Sequence, residues 1–181
     1  MNRWIGGLLA WWFMASLAMG MTLGEHDKRI NVLPALAYLE DPGGRLQLTD
    51  VQAPAQQKRF QTWEGSGSAL NFGLTASHYW IRVRLQRERA APDLWYLEVP
   101  NALLGDLTLH APNGTVIRTG IDQPLRDRPS FNRHFVFPIE LSEQAQDFYL
   151  RVGSSNALSV PIELWQPYAY QQHLHITIPL P

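Results

Sequence analysis

The chain has 181 residues, 45% hydrophobic and 11% aromatic, which suits one folded domain with a short leader and excludes a disordered chain. A formal charge of −1 offers no electrostatic footprint for nucleic acid and no polybasic membrane patch, so a nucleic-acid partner is excluded. The absence of cysteine removes disulfides, thiolate nucleophiles and cysteine-ligated metals together, and leans towards a bacterial export route.

The first twenty residues have the form of a signal peptide. Arg3 gives a positive start, Trp4 to Met19 is an uncharged and largely apolar run, and Ala18-Met19-Gly20 precedes a cleavage site at Met21. That run is shorter than the roughly 20 apolar residues of a membrane span. An uncleaved N-terminal anchor is the alternative, and either one exports the rest of the chain. Residues 21–31 are polar and charged, and read as a linker to a domain over 32–168, with a C-terminal tail over 169–181.

From Val32 onward, turn signals punctuate short alternating runs, the pattern of an all-β sandwich. Asp41-Pro42-Gly43-Gly44 is a strong turn. Leu48 to Phe60 is the one helical stretch, with Thr49 or Asp50 as cap and Pro54 limiting where it starts. Gln61 to Ala69, with its Gly-Ser-Gly-Ser, reads as a loop, and Ser66 and Ser68 lack the strand-turn-helix setting of a nucleophile elbow. Asn113-Gly114 suits a type I′ hairpin between Leu107–His110 and Thr115–Arg118, a simpler reading than a glycosylation sequon.

Side chains alternate across a strand, so each run can be split into faces. Tyr79, Ile81, Val83 and Leu85 form an inward set, leaving Trp80, Arg82 and Arg84 outward. In the same way Trp95, Leu97 and Val99 go inward and Tyr96 and Glu98 outward. Phe148, Leu150 and Val152 go inward, with Tyr149 and Arg151 outward. Leu158, Val160, Ile162 and Leu164 go inward, with Ser159, Glu163 and Trp165 outward. If these strands share a sheet, its outer face displays aromatic rings beside Arg and Glu, which suits a polar, ring-shaped ligand such as a glycan. Cross-strand Arg–Glu pairing on a solvated face is the plainer account of any single residue.

Other chemistry is weaker. Glu98 and Glu163 would be the carboxylate pair of a glycan-cleaving enzyme, but pairing with Arg82, Arg84 or Arg151 explains them more simply, and no catalytic residue is expected. His78, His110 and His134 are dispersed, while His173 and His175 would share a face only in an extended tail, too few ligands for zinc. No cofactor is expected. Calcium alone stays open, through Asp41, Asp50, Asp122 and Asp127 near turns, against ordinary turn-capping.

A set of segments in fixed order sharpens this reading. Leu70-Asn71-Phe72-Gly73-Leu74-Thr75 is followed by Tyr79-Trp80-Ile81-Arg82-Val83-Arg84-Leu85, Leu97-Glu98-Val99-Pro100-Asn101, Arg128-Pro129 and Arg133-His134-Phe135-Val136-Phe137-Pro138. Tyr149-Leu150-Arg151-Val152 and Pro161-Ile162-Glu163-Leu164-Trp165 complete it. From about Val32 to Tyr168 the chain resembles the type 2 extracellular sensor domain of bacterial seven-transmembrane receptors with diverse intracellular signalling modules. The resemblance implies a jelly-roll β-sandwich similar to carbohydrate-binding modules, with one short helix or loop insertion, placed in the periplasm. It further implies a membrane bundle that controls a histidine kinase or diguanylate cyclase.

Carried over by resemblance, Trp80, Arg82, Arg128, Arg133 and Arg151 lie at or near the ligand face. Alternation independently supports Trp80, Arg82 and Arg151, and adds Arg84, Glu98 and Glu163. His173 to Pro181 is too short and proline-rich to begin a membrane bundle, so the expectation is a truncated receptor, a gene fragment or a free-standing binder that needs a membrane signalling partner. The rival reading is a protein-interaction module whose aromatic face docks another domain or forms a homodimer.

Overall fold

A computed structural model describes residues 20–123 and 134–177. In chain order the strands are β1 (Met21–Leu23), β2 (Arg29–Asn31), β3 (Leu36–Asp41), β4 (Gln61–Thr62), β5 (Ala69–Gly73), β6 (His78–Arg87) and β7 (Leu94–Val99). They continue with β8 (Asp106–His110), β9 (Val116–Thr119), β10 (Phe135–Glu140), β11 (Gln146–Gly153), β12 (Leu158–Pro161) and β13 (Glu163–Trp165). Helices α1 (Leu48–Gln52) and α2 (Pro54–Gln57) follow β3, and α3 (Pro167–Thr177) follows β13.

The all-β sandwich that alternation predicts is the fold. A larger sheet runs β4-β3-β6-β11-β8-β9, with β1 pairing parallel to the far end of β6. Opposite it lies the sheet β10-β7-β13-β2, and β12 pairs with β5 in a small third sheet. Between them sits one core, which takes the whole inward set from Tyr79 to Leu85, Trp95 to Val99, Phe148 to Val152 and Leu158 to Leu164. Each such side chain contributes roughly 1.5–3 kcal/mol on leaving water. Trp95, the largest of them in the second sheet, satisfies its indole N–H at the Pro92 carbonyl, 2.8 Å away.

Several local expectations are corrected. Residues 21–31 are no tether: Leu23 is buried in the core, Met21 pairs with Leu85, and Ile30 pairs with Leu164. Charged neighbours hide these short strands from a hydropathy reading. The helix splits in two because Pro54 opens α2 and supplies no N–H to continue α1. Gln47, not Thr49 or Asp50, stands at the α1 N-cap, and Asp50 works from inside by accepting the Gln47 N–H at 2.9 Å. The stretch 61–69 is partly strand, through β4.

The 107–119 hairpin forms, but with a different turn. No non-glycine among the described residues has positive φ, so Asn113 cannot sit in a type I′ turn. Gly114 alone adopts φ 85°, its N–H bonds the Ala111 carbonyl, and the Ala111 N–H bonds Thr115, giving a three-residue loop. The Leu158–Trp165 run is also two strands in two sheets. Pro161 ends β12, because it has no N–H to donate to a continuing ladder.

Beyond β13 the expected tail is helical up to Thr177, so His173 and His175 do not share an extended strand. The spacing of Tyr170, His173 and Leu174 is that of one helical face. Tyr170 and Leu174 pack with Trp165, Val136 and Tyr96 on the outside of the second sheet. The leader, residues 1–19, lies outside the described residues.

Candidate ligand-binding face

Strand register sets out the outer face of the larger sheet row by row. One row crosses five strands as Leu39, Trp80, Arg151, Thr108 and Arg118. The next carries Ala37, Arg82, Tyr149, His110 and Val116, and a third pairs Arg84 with Asp147. Trp80, Arg82 and Arg151 therefore do share one face, as alternation and resemblance both imply.

Tyr96, Glu98, Glu163 and Trp165 do not join them, since β7 and β13 belong to the opposite sheet. The expected single aromatic face is thus two faces on opposite sides of the molecule. Nor are the aromatics exposed. Trp80 is 1% exposed and Tyr149 5%, packed with Leu39 and Val51 under the α1–α2 segment, with Leu46, Leu48 and Phe60 around them.

This helical cover leaves a cleft on each side. The first, about 480 Å³, opens at the β3–β4 edge and is lined by Tyr38, Gln57, Phe60, Gln61, Trp63 and Arg82, among others. The Arg82 guanidinium lies 5.0 Å from the centroid of the Phe60 ring and donates through Nη1 to Gln57 Oε1. Gln57 in turn donates to the Val51 carbonyl at 2.7 Å, so Arg82 is held by a fixed partner. Tyr38 Oη donates to Gln61 Oε1 at 3.1 Å. Two of its buried donors, Arg82 Nε and Trp63 Nε1, have no hydrogen-bond partner among the described residues. Behind the cleft Phe72 stacks on Tyr79 at 3.7 Å and meets Tyr38 edge-on at 5.2 Å, which gives the Asn71-Phe72-Gly73 motif a packing role.

The second cleft, about 380 Å³, lies on the β8–β9 side, where Trp80, Thr108, His110, Arg118 and Arg151 meet Gln47 and Gln123. Arg151 is locked by Asp106 Oδ2 at 2.5 Å and by the Gly44 carbonyl at 3.1 Å. His110 stacks on Trp80 with ring centroids 5.4 Å apart. Burial pushes the His110 imidazole below its ordinary range, and the guanidiniums of Arg118 and Arg151 push it the same way. His78 is lowered by burial and Arg151, against the pull of Asp106 and Asp41. Arg84 lines neither cleft and faces Asp147 at 3.9 Å.

On the far face Glu98 and Glu163 each have their own structural partner, and none of the expected arginines is among them. Glu98, 3% exposed, accepts the Trp165 indole N–H at 2.8 Å and lies 2.8 Å from His134 Nδ1. Glu163 takes both arms of Arg29, at 2.8 and 2.7 Å. Arg128 and Arg133 lie outside the described residues, as does Asp127. Of the calcium candidates, Asp41 accepts the backbone N–H groups of Arg45 and Leu46, and Asp50 is taken by Gln47. Among the described residues no three carboxylates or histidines converge on a metal position.

The model of the family 7TMR-DISM extracellular 2 matches residues 33–166. The chain belongs to that family. A comparison with curated proteins finds no match. Residues 33–166 are accordingly a receptor extracellular sensor domain, and the match ends at Gln166, just before α3 begins at Pro167. Among the described residues no helix is long and apolar enough to cross a membrane.

Sequence reasoning reached Trp80, Arg82 and Arg151 but missed most of their neighbours. Thr108, His110 and Arg118 were within reach, since they alternate along the hairpin strands that the turn at Asn113-Gly114 marks out. Gln57, Phe60 and Trp63 carry no such periodic signal, because only the chain's path over the sheet brings them to Arg82.

Proposed function

We propose that this sensor domain acts in the periplasm without catalysis, taking a small neutral glycan in the cleft beside Arg82. The observation that carries the reading is a cleft walled by Tyr38, Phe60 and Trp63 in which Arg82 Nε and Trp63 Nε1 are buried donors without partners. Buried polar groups are normally satisfied, so a small turn of either side chain towards an acceptor-rich ligand there would complete them. Rings cover the apolar faces of a sugar, while Arg82, Gln57 and Gln61 meet its hydroxyls. Gln57 ends α2, so occupancy bears directly on the helical cover. A ligand with unequal affinity for two placements of that cover shifts their populations, which a histidine kinase or diguanylate cyclase partner in the membrane would read.

Thermal-shift titration of the purified protein with neutral disaccharides tests this. At a hundredfold excess over Kd, a ligand adds about 2.7 kcal/mol, or some 5–10 °C in a domain of this size. Trp63→Phe, which keeps an aromatic ring but loses the indole N–H, and Arg82→Gln should each weaken binding about tenfold or more. Saccharides that leave the melting temperature unmoved, or a shift indifferent to both substitutions, would reject the reading.

A further inference from the structure

We infer that the second cleft is a separate site for a small monocarboxylate, gripped between Arg118 and the Arg151–Thr108–His110 wall.

Charge is the first argument. Among the described residues Asp106 is the one carboxylate lining the cleft, and Arg151 already pairs with it at 2.5 Å. Arg118 is exposed on β9 and has no ion-pair partner among the described residues. Among the described residues its lining therefore carries one uncompensated positive charge, which a monoanion balances and a phosphate dianion exceeds. Burial, and after it both guanidiniums, disfavours the imidazolium form of His110 at that wall.

Geometry is the second. Register puts Arg151, Thr108 and Arg118 side by side on three adjacent strands, so the groups stand on a rigid sheet and not on a loop. Arg151 is preorganised by Asp106 and the Gly44 carbonyl, and the Arg118 fork is open for a bidentate carboxylate. Gln47 and Gln123 line the same volume with their amides, and Trp80, also in its lining, holds a buried indole N–H with no partner among the described residues. A volume of about 380 Å³ admits a ligand the size of one sugar acid.

A matched pair of probes tests the proposal, D-galacturonate against D-galactose, with inorganic phosphate as a third arm. Backbone amide shifts of the isotopically labelled protein should move with millimolar galacturonate at Thr108, His110 and Arg118 and stay still with galactose. Binding should weaken roughly tenfold in Arg118→Gln and persist in Arg82→Gln. Galacturonate should also raise the His110 pKa, followed by its ring protons, because a bound anion favours imidazolium. Equal response to galactose, no response to galacturonate, stronger binding of phosphate, or indifference to Arg118→Gln would overturn it. No response to galacturonate, with a neutral sugar still binding only when Arg82 is intact, would leave the glycan reading standing while this one falls.

Discussion

Glu98 is the residue whose removal reports most directly on how the C-terminal helix is anchored. Its carboxylate accepts the Trp165 indole N–H and sits against His134, both at 2.8 Å, at 3% exposure. Trp165 in turn meets Tyr170 edge-on at 5.8 Å and stacks on His173 at 4.8 Å, so it joins the sheet to α3. Glu98→Ala strands a buried N–H, at about 1–3 kcal/mol, and loses a charge-assisted bond of about 1.5–3 kcal/mol. Relief of the carboxylate's own burial offsets part of this, leaving a net loss of about 3 kcal/mol. Glu98→Gln keeps a carbonyl for Trp165 and an amide beside the His134 ring nitrogen, so it should cost about 1 kcal/mol. Urea denaturation followed by far-UV circular dichroism, with m held constant across variants, measures both. In Glu98→Ala the Tyr170 amide, which bonds the Gln166 carbonyl, should exchange faster than in wild type. An alanine variant within 0.5 kcal/mol of wild type, or a glutamine variant as damaged as alanine, would refute this account of the anchor.

Acid should weaken the fold through His78 and His110. Both have folded pKa values below the unfolded 6.5, so the unfolded state takes up protons first as pH falls. Their contribution is intact above 6.5 and is lost progressively below it; a His78→Gln/His110→Gln variant should show a flatter decline in stability between neutrality and the carboxylate range, and an unchanged slope would contradict this. Gly120→Ala should cost about 3 kcal/mol or more, since φ is 134° and a Cβ would lie 2.0 Å from the Gly105 carbonyl oxygen. Gly114→Ala, with positive φ but open space, should cost only about 1 kcal/mol, and equal denaturation midpoints for the two would show the close approach at Gly120 to be wrong.

What the amino-acid order determined by itself was the side of each strand that faces the core. Ile81, Val83, Leu97, Phe148 and Val160 are inward because period-two alternation is a local property of extended backbone, readable over four or five residues. The turn positions at Asp41–Gly44 and Asn113-Gly114 were legible for the same reason, though the turn type at Gly114 was not. Which strands are neighbours is a different matter, since it depends on pairings between residues such as Trp80 and Arg151 that are 71 positions apart. Alternation could therefore place Trp80 and Trp165 outward without revealing that they stand on opposite sheets.

Nor does outward mean exposed. Whether an outer face meets water or a second layer depends on where α1, α2 and α3 fold back, and short polar-looking segments give that away only once a sheet exists to receive them. Trp80 became part of a buried layer, Glu98 became an internal anchor, and Arg82 and Arg151 were parted into two clefts by the cover between them. Tertiary packing decided this, because burying the outer aromatics under a helical layer releases water that no single strand could exclude.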